Sequence, residues 1–305
     1  MLIDLVEEFE EVCRFFEGYS KDQKLAFVGK VDRRLDQERL IARKTDATFA
    51  RVVFSDRIVV NLPLFETGLV HSADLLTVDD FLAFGFYDRM FKSGLCFVDV
   101  GANIGLHTVV AAKIGYKTFS FEPDESTFEL LNANLIGNSI SPSIGSNNGM
   151  SFLTDSNETV SHVYNAAVAD FNGFSTFIKL EDNFFGNHLK GFKDAPYGEM
   201  TESQTPVISA AAFAALPGII KIDAEGADAV ILGVLITSGL NIERTKVLLC
   251  DWRPETRESI SFLISDNCLT GELGRTGSID LGMSSLPLNR DSDFVVLGGV
   301  QDKPR

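Results

Sequence analysis

Residues 97–105 (FVDVGANIG) constrain this chain more than any other stretch. Phe97, Val98 and Val100 form an apolar run with strand character, and Asp99 is set inside it. Gly101, Ala102, Asn103, Ile104 and Gly105 then make a turn of small residues. Residues 106–114 resume with apolar positions at helical spacing. A strand, a glycine turn and a helix open a nucleotide-binding α/β unit. Glycine lets backbone N–H groups approach a ligand because no Cβ stands in the way.

The rest of the chain continues that alternation. Residues 117–121 (KTFSF) read as a second strand ending in Glu122-Pro123, and Asp124 starts a helix with Phe128, Leu131 and Leu135 on one face. Residues 138–161, rich in Ser, Asn and Gly, read as a loop insertion. Further strands are expected at 163–168 and 174–180, followed by an aromatic, glycine-containing loop at 184–192 (FFGNHLKGF). Residues 207–216 suggest a short strand and a helical turn. The strand 219–223 (IIKID) runs into Asp223-Ala224-Glu225-Gly226, then a helix over 227–238. Strand 246–250, helix 255–266 and two last strands at 269–273 and 294–297 complete the pattern, which predicts a mainly parallel sheet with helices on both faces. Residues 1–93 have a different character: two amphipathic helices over 1–20 and 21–43, a hairpin at 48–62 around Ser55-Asp56, and a Thr77-capped helix over 78–92. They predict an α+β N-terminal extension covering the site, set before a second domain over 94–305. The two helices suit docking on that domain or assembly of a homo-oligomer.

Composition narrows the partners. The net charge of −16 argues against nucleic acid, whose binders carry a basic face, and favours small neutral or cationic molecules. The 25 phenylalanines, against 5 tyrosines and 1 tryptophan, predict a Phe-packed core. Cys13, Cys96, Cys250 and Cys268 show no zinc spacing, and no other cluster has metal-ligand spacing, so no metal is expected. No apolar run reaches membrane-spanning length, and Asp4, Glu7 and Glu8 interrupt any leader, so the expectation is a cytoplasmic protein with no membrane partner. The sequon at Asn157 carries no weight on that reading.

In a parallel α/β sheet, ligands bind beyond the carboxyl ends of the strands. Three of those ends carry acids: Asp99 with the glycine turn, Glu122, and Asp223 with Glu225. The interval from Gly101 to Glu122 suits a βαβ unit that sets the second strand beside the first. A carboxylate there can accept hydrogen bonds from ribose hydroxyls. A dinucleotide site usually reads G-x-G-x-x-G and holds a pyrophosphate. Here the turn reads D-V-G-A-N-I-G, and a carboxylate suits an amino group or a sulfonium better than a pyrophosphate. The expected cofactor is therefore S-adenosylmethionine. A nicotinamide-dependent enzyme and a catalytically silent nucleoside-binding protein are the rival readings. Asp223 and Glu225 are candidate bases, as is His188 within 184–192. His107 either faces the cofactor or packs. Trp252 either stacks on a sugar or packs at the rim.

Residues 97–135 and 219–235 (IIKIDAEGADAVILGVL) together resemble the FkbM family of S-adenosylmethionine-dependent methyltransferases. The resemblance covers roughly residues 95–255. It implies a Rossmann-like class I methyltransferase fold, with a seven-stranded sheet of order 3-2-1-4-5-7-6 whose last strand is antiparallel. It also implies O-methylation of a hydroxyl on a small molecule, sugar or glycan. By position, Asp99, Gly101 and Asn103 would line the methionine part of the cofactor, with Gly105 closing that turn. Glu122 would hold the ribose. Asn165 and Ala166, with Asp170, would lie near the adenine. Asp223 would sit near the transferred methyl with Glu225 beside it. The chain departs from the family pattern in the insertion at 138–161 and in AAAFAALPG before the KIDAEG stretch.

Overall fold

A computed structural model describes residues 1–17, 19–67, 70–145, 161–180, 186–192, 199–241, 243–250, 270–272 and 295–297. The expected helix 255–266, Trp252 and Asn157 lie outside these residues.

The chain begins with β1 (Leu2–Asp4), α1 (Val6–Glu17) and α2 (Lys21–Ala42). Residues 2–4 are strand, where periodicity predicts helix. They pair in parallel with β2 (Phe49–Val53), and Asp4 Oδ1 accepts the Val6 N–H at 3.2 Å, so the helix starts only there. The hairpin partner of β2 is β3 (Val59–Pro63). A short pair, β4 (Glu66–Thr67) and β5 (Val70–His71), leads to a 3-10 turn at Ser72–Leu75. Then α3 (Val78–Met90) starts on a capping box made by Thr77 and Asp80. It stops two residues short of the expected 92, because Phe91 is extended and sets its ring edge-on against Tyr116 at 5.1 Å.

The second part contains β6 (Cys96–Val100), α4 (Leu106–Ile114), β7 (Lys117–Phe121), α5 (Glu125–Gly137), β8 (Pro142–Ile144), β9 (Ser161–Tyr164), β10 (Ala167–Ala169), β11 (Gly173–Leu180), β12 (His188–Leu189) and β13 (Met200–Ser209). After a 3-10 turn at Ala210–Phe213 come β14 (Gly218–Ile222), α6 (Asp228–Thr237), β15 (Thr245–Leu249), β16 (Thr270–Glu272) and β17 (Val295–Leu297). Among the described residues, the main sheet has eight strands in the order β16-β17-β15-β14-β6-β7-β9-β8. The six from β15 to β8 are parallel, and β17 is antiparallel to both neighbours. The count exceeds the expected seven because β8, from a stretch read as loop, adds to the β9 edge. A short polar run pairs once a neighbour offers its free edge.

The period-two alternation of strands sorts the core. Phe97, Ile219, Leu248 and Val163 face one side with α3, α4 and α5; Val98, Val100, Ile220, Ile222, Val247 and Leu249 face the other with α6. The first cluster runs without a break into the N-terminal elements, from Ile3 through Phe9, Phe54, Phe81 and Phe84 to Tyr87 and Phe97. Their rings meet at 4.8 to 6.2 Å, edge-on or tilted. Each such fully buried ring contributes about 1.5–3 kcal/mol. The N-terminal elements are thus packed on the sheet's α4 side.

A second, four-stranded sheet of order β10-β13-β11-β12 rises beyond the carboxyl ends of the main strands. Two features correct the sequence expectation: β13 is ten residues long rather than a short strand near 207, and His188–Leu189 form strand β12 rather than loop. Both result from pairing with β11, which takes β13 along its whole length and β12 on its other edge.

Candidate active site

Three backbones converge at the carboxyl ends of β6, β7 and β14. The turn after β6 has left-handed φ at Gly101 (+72°), Asn103 (+52°) and Gly105 (+82°). At Gly101 a Cβ would stand 1.9 Å from the Asp223 carbonyl oxygen, so the turn and the end of β14 are in backbone contact that only glycine permits. The N–H groups of Gly101 and Ala102 both donate to the Phe121 carbonyl, at 3.1 and 2.9 Å. The turn is therefore tied to β7 as well. A cleft of about 310 Å³ opens above it.

Glu122 follows β7. Its Oε2 accepts the Asn103 N–H at 2.8 Å and its Oε1 accepts the Asp124 N–H at 3.0 Å. Burial raises its pKa to about 7, against the lowering effect of those two bonds. Asn165 lies below: its Nδ2 donates to the Glu122 and Pro123 carbonyls at 3.0 and 3.2 Å, so it braces the loop while its neighbour Ala166 lines the cleft. Asp170 is exposed on a turn and does not line it.

Asp99 is placed differently from the sequence expectation. It is fully buried beneath the turn and off the cleft wall. Its Oδ1 meets Lys221 Nζ at 3.1 Å, and its Oδ2 accepts the Thr108 hydroxyl at 2.7 Å. The sheet register pairs Lys221 with Asp99 directly. Lys221 was not singled out from the sequence, although a lysine inside IIKI, two residues before Asp223 and hence on the same strand face, was a signal for it. It is 3 % exposed and lines the cleft. Burial opposes its charge, but Asp99 and Asp223 outweigh burial and hold the ammonium well above its usual range.

Asp223 is the open member of this group, with its side chain 43 % exposed and Oδ2 3.5 Å from Lys221 Nζ. Glu225 follows at φ +47°, in a turn whose Ala224 and Gly226 N–H groups donate to Asp228 at 3.2 and 3.1 Å. Asp223 and Glu225 both line the cleft, as do Gly101, Asn103, Glu122 and His188. Cys250, at the end of β15, lines it too; burial, with the Asp223 charge, pushes its thiol up and keeps it protonated. His188 comes from the second sheet, 3 % exposed, with Nδ1 2.8 Å from the Gly186 carbonyl. A carbonyl only accepts, so Nδ1 carries a proton and donates it, which leaves Nε2 as the nitrogen that can accept in the neutral ring.

The N-terminal part supplies a further wall, with Asp74, Leu75, Thr77, Asp79 and Asp80. His107, open to two readings in sequence, is tightly held here: Nε2 is 2.9 Å from Asp80 Oδ1 and Nδ1 is 2.9 Å from the Tyr87 hydroxyl. Burial would raise Asp80, but its bonds with His107 and Thr77 outweigh burial and keep it ionised. Burial holds the Tyr87 phenol protonated. Both ring nitrogens of His107 are thus engaged, one with Asp80 and one with Tyr87, and neither is left for chemistry. Among the described residues, no cluster of three or more His, Cys, Asp or Glu side chains could hold a metal ion, and no helix is long and apolar enough to cross a membrane.

A parallel sheet whose first strand ends in a glycine turn, bonded to the acid after the second, defines a nucleoside-binding α/β protein. Residues 99–267 match the methyltransferase FkbM domain, more than half of the chain, and the chain belongs to that family. S-adenosylmethionine, the cofactor expected from the turn, fits a methyltransferase family. No curated protein matches the sequence. Solved structures similar to it include a tRNA (uracil-54, C5)-methyltransferase of Pyrococcus abyssi in complex with S-adenosyl-L-homocysteine, at 12% identity and TM-score 0.37, covering 82% of this chain and 43% of that one. A putative S-adenosylmethionine-dependent methyltransferase from Streptococcus mutans follows at 10% and 0.42, covering 89% and 66%. A putative RNA methyltransferase from Pyrococcus horikoshii stands at 13% and 0.34, covering 89% and 98%. The chain thus matches less than half the length of the Pyrococcus abyssi enzyme. At these scores the likeness says nothing about substrate.

The cleft suits the cofactor chemically. The carboxylate of Glu122 can accept from ribose hydroxyls, Asp223 presents negative charge for a sulfonium and an ammonium, and Ala166, Val168, Phe177 and Leu189 give apolar wall for a base.

Proposed function

We propose that the protein transfers a methyl group from S-adenosylmethionine to a hydroxyl oxygen of a small molecule or a sugar. The observation that carries this reading is the position of His188 in the same cleft as the turn, Glu122 and Asp223, with its Nδ1 proton engaged and Nε2 available. When bound, the cofactor supplies an electrophilic methyl on a positive sulfur and a neutral thioether as leaving group. The protein's share is to position the acceptor in line, exclude water and remove one proton. His188 Nε2 takes the hydroxyl proton, and Asp223 and Glu225 orient the acceptor from the opposite strand end. Asp74, Asp79, Asp80, Asp223 and Glu225 line the cleft, and Lys221 is paired with acids, which supports a neutral or cationic acceptor over a phosphorylated one.

The test is methyl transfer to a panel of polyols, sugars, amines and RNA, read by mass spectrometry with wild type and His188→Ala. The expected result is a one-methyl mass increase on a hydroxylated neutral compound, reduced about 10²–10⁴-fold in the variant, the range of general-base loss. Methylation of RNA or of a carbon atom would overturn it, as would an undiminished rate in the variant.

A further inference from the structure

We propose that Lys221 is a positioning residue that withdraws Asp99 from the cofactor and makes Asp223 the carboxylate that senses the sulfonium charge. The proposal rests on the cleft being the methyl-donor site. An ammonium has three N–H bonds to give. Those of Lys221 have three oxygens from three segments within reach: Asp99 Oδ1 on β6 at 3.1 Å, the Gly101 carbonyl in the turn at 3.2 Å, and Asp223 Oδ2 past β14 at 3.5 Å. A merely structural ion pair would end at Asp99. This one continues to the turn and to Asp223, the two pieces of backbone that touch at Gly101.

The charges sort themselves by exposure. Asp99 is fully buried, Lys221 is 3 % exposed, and Asp223 is 43 % exposed. Asp99 has both oxygens engaged, one by Lys221 and the other by Thr108, whose hydroxyl is also 2.8 Å from Ser120. Two carboxylates and one ammonium leave a single negative charge, and it resides on Asp223, by far the most exposed of the three. Coulomb attraction falls with distance and with the dielectric around it, so a ligand's positive charge is read by the exposed acid and not by the neutralised one below it.

S-adenosylmethionine and S-adenosylhomocysteine differ by the methyl and by the positive charge on sulfur, so the ratio of their affinities measures that sensing without any turnover. Calorimetry on wild type, Asp223→Asn and the double variant Asp99→Leu/Lys221→Met gives the ratio for each. Asp223→Asn is expected to lower the preference for S-adenosylmethionine at least threefold, while the double variant, which removes the buried pair together and leaves the Asp223 charge in place, keeps the ratio at the wild-type value. The reverse pattern, or a ratio unchanged in both, overturns the proposal. The double variant Asp99→Leu/Lys221→Met tests the bracing role, since it removes the buried pair together. It should bind S-adenosylhomocysteine at least tenfold more weakly while unfolding at the wild-type urea midpoint. Wild-type affinity in that folded variant overturns the bracing role. Wild type that binds neither compound would instead defeat the donor-site reading itself.

Discussion

The backbone N–H of Asn103 donates to Glu122 Oε2 across 2.8 Å. That bond joins the glycine turn after β6 to the acid after β7, and it takes up one oxygen of the carboxylate expected to hold the ribose. The shape of the turn and the charge state of Glu122 are therefore coupled.

The coupling makes cofactor affinity depend on pH. Burial raises Glu122 to about 7, from a free value of 4.5. Ribose hydroxyls donate to the ionised form, so S-adenosylhomocysteine affinity is expected to rise as pH increases through about 7, with release of a proton on binding. Calorimetry between pH 6 and pH 8 in buffers of different ionisation enthalpy measures both. Glu122→Gln should flatten the profile. For stability alone the sign is opposite. The raised value means the folded state holds the proton more tightly, a contribution complete below 4.5 and lost as pH rises through 7.

Gly101→Ala should damage fold and binding together. The new Cβ would lie 1.9 Å from a backbone oxygen at φ +72°, where no side-chain rotation relieves it. A left-handed non-glycine costs about 1–3 kcal/mol before the clash is added. Urea unfolding should show a loss of at least about 2 kcal/mol, and calorimetry no measurable binding of S-adenosylhomocysteine.

His107→Phe keeps the ring's bulk but removes both hydrogen bonds. It leaves the Tyr87 hydroxyl and one Asp80 oxygen without their His107 partner at the α3–α4 contact. The expected cost is about 1–3 kcal/mol, read from the denaturation midpoint. Wild-type protein should also lose stability as pH falls through the lowered Asp80 value, since the ionised carboxylate is the form that His107 and Thr77 bind. The variant should lose less over the same interval.

Residues 94–305 expressed alone should fail to form a cooperative domain. The core that holds Phe97, Val109, Val110 and Leu131 also contains Phe81, Phe84 and Tyr87 of α3. Removing the N-terminal elements would strip α3 and the hairpin from the face of the sheet they share with α4 and α5, leaving part of that core exposed. Broad, non-cooperative unfolding and dye binding to exposed apolar surface are the expected readouts.

Much of this was legible in the sequence because it is written in local patterns. Short apolar runs marked β6, β7, β14 and β15, and the small residues of 101–105 marked a turn whose φ values are left-handed at three positions. The capping box at Thr77 and Asp80 was read from a three-residue spacing. Elements made by distant pairing were not legible. β1 pairs with a hairpin some fifty residues away, and β8 and β12 are runs of only three and two residues that become strands at a neighbour's edge.

The site divides along the same line. Sequence alone determined which acids stand at the strand ends and that the turn admits close backbone approach, because strand period and glycine content are properties of neighbours along the chain. The tertiary structure decided which of those acids is free. Asp99, inside the end of β6, and Asp223, just after β14, both read in sequence as acids at the carboxyl end of an apolar strand, yet one is sealed under the turn against Lys221 and the other opens to the cleft. Charge neutralisation depends on which side chains meet across adjacent strands, and only the sheet register, Lys221 opposite Asp99, sets that.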